Sequence, residues 1–79
     1  MVMAYVLINV NVGKEREVFE NLKKIENVVG VDELYGEWDI IAKVEIDKYE
    51  ALDKIVSEKI RSMEGIKLTS TMLVAEYLR

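Results

Sequence analysis

Apolar residues fall along this chain in two kinds of pattern, one with the period of a strand and one with the period of a helix. From Trp38 to Ile46 they occupy Trp38, Ile40, Ala42, Val44 and Ile46. Such alternation sends successive side chains to opposite faces of a sheet. Residues 3–10, Met-Ala-Tyr-Val-Leu-Ile-Asn-Val, are instead almost continuously apolar and short, which suits a strand buried on both faces. From Lys14 to Glu26, Val18, Leu22 and Ile25 recur at spacings of four and three among charged residues, predicting an amphipathic helix capped by Asn11-Val12-Gly13. Asn27 and Gly30 end it. A strand over Val31–Tyr35 follows and meets the alternating one at Gly36-Glu37, with Gly36 at the position where a two-residue type II′ hairpin needs φ > 0. Asp47 and Glu50 have the spacing of a capping box for a second helix. Its stripe is Tyr49, Leu52, Val56, Ile60 and Met63, and Gly65 stops it. Ile66 to Leu78 reads as the last strand, with Thr69, Ser70 and Thr71 in its middle.

The element order is strand-helix-strand, strand-helix-strand. Two split β-α-β halves joined by a tight hairpin predict an α+β, ferredoxin-like sandwich: a four-stranded antiparallel sheet with both helices on one face. One sheet face is then uncovered. On the first strand that face carries either Ala4, Val6, Ile8 and Val10 or Met3, Tyr5 and Leu7, and both sets are apolar. A patch of that size marks an interaction surface, and a symmetric dimer stacking two sheets would bury it.

Composition narrows the function. Seventy-nine residues predict a single domain over 1–79, and a core of that size rarely supplies more than ~3–5 kcal/mol. The chain has no Cys and no His, so disulfides, thiolate zinc sites and the commonest general base are all absent. Oligomerisation remains as the route to stability. The 11 basic and 15 acidic residues, net −4, are dispersed rather than in blocks, which argues against non-specific binding to nucleic acid or to anionic membrane. No apolar run approaches ~20 residues, and the N-terminal residues read as a strand rather than a signal peptide. A cytoplasmic protein is expected.

Enzyme chemistry finds little support. Ser57, Ser62 and Ser70 have no His to activate them, Gly13-Lys14 lacks the spaced glycines of a P-loop, and no loop gathers the oxygens of a cation site. No metal and no cofactor are expected. Two polar insertions into apolar sheet remain, Gly36-Glu37-Trp38-Asp39 and Thr69-Ser70-Thr71. A structural explanation suffices for each: Gly and Asp are turn residues, and Thr suits an edge strand. The functional explanation is that Asp39 offers an anion, the hydroxyls offer donors and acceptors, and the Gly36 turn offers backbone N–H groups. Together these would match a small zwitterion.

The segment from Val28-Val29 through Tyr35-Gly36-Glu37-Trp38-Asp39-Ile40, followed by Gly65-Ile66-Lys67-Leu68-Thr69-Ser70-Thr71, resembles the effector (RAM) domain of Lrp/AsnC transcription regulators. The resemblance covers essentially the whole chain in the family's element order. It implies the same ferredoxin-like fold, dimerisation through the sheets and further assembly to an octamer, with a free amino acid bound between dimers. It places that ligand near Tyr35, Gly36 and Asp39, with Thr69, Ser70 and Thr71 from the last strand. The family's regulators carry an N-terminal helix-turn-helix, whereas here Met1 opens directly into the first strand. The expectation is a stand-alone effector domain that is not an enzyme, acting as a sensor or joining full-length Lrp/AsnC regulators. Two other readings stand beside it: a dimeric α+β-barrel enzyme acting on a small metabolite, and an ACT-like regulatory domain. The acidic balance also yields a direct test. These 79 residues should give no mobility shift of duplex DNA that survives competitor at physiological salt.

Overall fold

The computed structural model describes residues 1–75. Strands β1 (Val2–Val10), β2 (Val28–Glu33), β3 (Ile40–Ile46) and β4 (Ile66–Leu73) form one sheet in the order β2-β3-β1-β4, with every neighbouring pair antiparallel. Helix α1 (Glu15–Leu22) connects β1 to β2. Helix α2 (Glu50–Lys54) follows β3 and continues as a π-helical segment, Ile55–Ile60. This is the α+β, ferredoxin-like sandwich expected.

The register fixes which face is which. Ala4 stands opposite Val44, Val6 opposite Ala42 and Ile8 opposite Ile40. These six side chains are at most 1% exposed and form one cluster with Val18, Leu22, Leu52, Ile55, Val56 and Ile60. The helices therefore cover the Ala4–Val10 set. Tyr5, Leu7 and Asn9 point the other way and are half-buried, so β1 is not fully buried on both faces. The open face combines these with Ile41, Lys43 and Glu45 of β3 and with Leu68, Ser70 and Met72 of β4. Leu68 and Met72 are 56% and 48% exposed, leaving an apolar stripe bordered by charge.

Several local expectations change. The β2–β3 connection takes residues 34–39, not two, because Leu34 N–H donates to the Asp39 carbonyl (2.8 Å) and closes a wider loop. Gly36 keeps its positive φ, at 130°. Helix α1 ends at Leu22 rather than Glu26. The Asp47–Glu50 capping box does not form: α2 starts after Tyr49 with no side-chain cap, and Ala51 N–H bonds to the Lys48 carbonyl instead. Past Lys54 the second helix widens, and Arg61 N–H bonds back to the Val56 carbonyl (2.8 Å), five residues earlier. Ile55 is buried and Tyr49 is exposed, which the expected stripe did not foresee. Strand β4 ends at Leu73, and the expected extension over residues 76–78 lies outside the described residues.

Gly65 anchors the start of β4 on α1. Its φ is +96°, and its carbonyl accepts the Asn11 N–H (2.8 Å). A Cβ here would lie 2.9 Å from both the Lys14 Cβ and the Val18 Cγ2. Gly65→Ala is thus expected to cost roughly 2–5 kcal/mol, combining a left-handed backbone penalty with overpacking. Gly36→Ala, where an added Cβ meets nothing within 4 Å, should cost only the backbone part, about 1–2 kcal/mol. Urea denaturation of the two variants checks the order, and equal losses would refute the packing role of Gly65.

Candidate functional site

The loop between β2 and β3 holds Tyr35, Gly36 and Asp39. Tyr35 is fully exposed, and no atom comes near the side of Gly36 where a Cβ would project. Asp39 is different. Its amide N–H donates to the Ile8 carbonyl (3.0 Å), its carbonyl accepts from Leu34 (2.8 Å), and its Oδ2 accepts the Val10 N–H (2.9 Å). Asp39 therefore ties the loop to β1 on both sides of Asn9. A carboxylate accepting a backbone N–H is among the stronger hydrogen bonds, so this acid has a structural task before any ligand is considered. Oδ1 has no hydrogen-bond partner among the described residues.

The three hydroxyl residues of β4 divide between the faces. Thr69 stands opposite Ile8 and Thr71 opposite Val6, on the helix side, whereas Ser70 stands opposite Leu7 on the open side. Thr69 and Thr71 line a groove of about 410 Å³ between β4 and the second helix, with Leu52 and Val56 as its apolar wall. Asp39 is bonded to one side of β1 and β4 pairs with the other. With strands about 4.8 Å apart, the backbones of Asp39 and Thr69 are roughly 10 Å apart. Thr69 and Thr71 line one groove, while Tyr35, Gly36 and Asp39 share the loop on the other side of β1.

Sequence reasoning missed the other polar residues of the groove, Asp53, Ser57 and Arg61. Their spacing of four was legible in the sequence, but on an amphipathic helix it reads as an ordinary solvated face. Only the packing of that face beside the β4 edge makes it a groove wall. Among the described residues no group of three or more acids has the geometry to hold a metal ion, and no helix is long and apolar enough to cross a membrane.

Residues 3–78 match the family model described as the Lrp/AsnC ligand binding domain. The HTH-type transcriptional regulator FL11 of Pyrococcus abyssi is 36% identical over 72 residues, covering 91% of this chain and 47% of that protein. The chain spans less than half the length of the curated regulators it matches. The crystal structure of FFRP-DM1 superposes with a TM-score of 0.91 at 46% identity, covering 94% of this chain and 99% of that one. A transcriptional regulator of Neisseria meningitidis, in its complex with L-Met, superposes with a TM-score of 0.88 over 99% of this chain and 52% of that one. At 19% identity it shows the shared fold alone.

The Asp39 bond predicts a stability effect independent of any ligand. Asp39→Ala leaves the part-buried Val10 N–H without its acceptor and should lower stability by about 1–3 kcal/mol. Asp39→Asn keeps an acceptor oxygen and should lose less. Chemical denaturation of both variants tests this, and an alanine variant as stable as the wild type would refute the structural role.

Proposed function

This chain belongs to the Lrp/AsnC family through its ligand-binding domain, and from that premise we propose that it is a non-enzymatic, amino-acid-binding effector module. It works through oligomerisation, either as a sensor or by joining full-length regulators. The observation that carries the reading is the match of residues 3–78 to a ligand-binding domain, with relatives named as transcriptional regulators. The absence of His and Cys from the sequence supports a binding rather than a catalytic role. Kinship with transcription regulators supports a cytoplasmic location. On this reading residues 1–79 are a single domain.

The separation of the two candidate groups favours a composite site. Tyr35, Gly36 and Asp39 of one copy would face Thr69, Ser70 and Thr71 of another, between dimers of an octamer. In it, Asp39 Oδ1 pairs with the ligand ammonium while Oδ2 keeps its bond to Val10. The dimer itself forms by stacking two open sheet faces, which buries Tyr5, Leu7 and the exposed Leu68 and Met72.

Calorimetry with the proteinogenic L-amino acids, L-methionine among them, tests the ligand. The wild type should bind at least one at millimolar concentration or below. Asp39→Asn, which preserves an acceptor for Val10, should weaken that binding about 10- to 100-fold, the equivalent of one charged hydrogen bond at roughly 1.5–3 kcal/mol. No binding by the wild type would end the sensor reading. Unaltered binding by Asp39→Asn would remove only Asp39 from the site.

The assembly has its own test. Tyr5→Glu places a charge on the open face and should yield a folded monomer of about 9.1 kDa by light scattering. Val6→Glu, at a position 0% exposed under the helices, should instead fail to fold. A wild type already monomeric at micromolar concentration, or a Tyr5→Glu dimer, would refute the face-to-face interface.

A further inference from the structure

We propose that Arg61 binds the α-carboxylate of the amino-acid ligand, in the groove where Thr69 and Thr71 supply hydroxyls. The inference rests on the amino-acid-binding reading above and assigns the ligand's carboxylate end, for which the loop site of Tyr35, Gly36 and Asp39 offers no cation.

Three observations converge on Arg61. First, it lines the groove together with Thr69 and Thr71, and a smaller neighbouring hollow with Thr69 and Lys67. Second, neither it nor Asp53, the acid of the same groove, forms an ion pair among the described residues, whereas Arg16, the other described arginine, pairs with Glu20 and Glu33. Arg61 is exposed, so its guanidinium is accessible to a ligand carboxylate beside the apolar wall of Leu52 and Val56. Third, the helix departs from α geometry immediately before it. The Arg61 N–H closes a five-residue turn on Val56, and π-type turns occur frequently at functional sites. Guanidinium stays protonated at every relevant pH and presents a planar fork that takes a carboxylate in two parallel hydrogen bonds. Ser57, one turn before Arg61 on the same wall, adds a further hydroxyl.

Arg61 also sits at a helix C-terminus, where a cation is favourable for electrostatic reasons alone. The test therefore needs a readout that this structural role would not move. The probes are the proteinogenic L-amino acid that the wild type binds best and its α-methyl ester, which keeps the ammonium and side chain but has lost the carboxylate charge. Calorimetry should show the wild type preferring the acid to the ester by about 10- to 100-fold. Arg61→Gln should weaken acid binding by a similar factor and bind acid and ester almost equally. Circular dichroism should report a folded variant, since the side chain is exposed. An Arg61→Gln variant that binds the acid as the wild type does, or keeps the acid-over-ester preference, overturns the assignment while the amino-acid reading stands. If the wild type binds none of the amino acids at millimolar concentration, the reading falls and the assignment with it.

Discussion

Everything in this molecule depends on the pairing of β1 with β3. Seven consecutive residue pairs, from Val2 opposite Ile46 to Ile8 opposite Ile40, set two alternating strands in phase. Their small and branched side chains then share the face that the helices cover. A slip of β3 by one residue would turn Lys43 and Glu45 into the core and expel Ala42 and Val44. In a domain with so little core to spare, that exchange is not survivable. Asp39 stands at the end of this ladder, bonded to Ile8 and Val10, where a carboxylate can fix the register as well as close the loop.

The same pairing creates two contrasting surfaces. Covering one face of the sheet leaves Tyr5, Leu7, Leu68 and Met72 on the other, with Lys43 and Glu45 of the neighbouring β3 beside them. Burying Leu52, Ile55, Val56 and Ile60 on the covered side leaves Asp53, Ser57 and Arg61 facing the edge of β4. Among the described residues β4 pairs with β1 alone, and a groove remains between β4 and the second helix. The groove is thus a consequence of four strands and two helices failing to cover one sheet edge completely.

Asp39 illustrates how a short motif can carry two explanations at once. Its side chain beside a glycine loop is accounted for by one hydrogen bond, Val10 N–H to Oδ2, added to two backbone bonds that any residue could make. Only one carboxylate oxygen is used in that way, so a ligand role is compatible with the structural one instead of competing with it. The division also gives asparagine a use as a probe, since it separates charge from hydrogen-bond acceptance.

Periodicity alone determined the element order, the helix-covered sheet and the core of β3, because alternation and three-to-four spacing report burial wherever one face is apolar and the other is not. The resemblance carried by Gly36, Asp39, Thr69 and Thr71 named the family. Where both faces are apolar, as in residues 3–10, sequence could not say whether Tyr5 or Val6 faces outward; the cross-strand register decided it. Sequence also misjudged the length of the β2–β3 loop, which depends on distant partners, Ile8 and Val10 for Asp39, and the cap of the second helix, where a backbone bond from Ala51 to Lys48 takes the place of the Asp47 side chain. The grouping of Arg61 and Ser57 with Thr69 and Thr71 was likewise decided only by tertiary structure, for residues on different elements share a groove only once a sheet edge and a helix have been laid side by side.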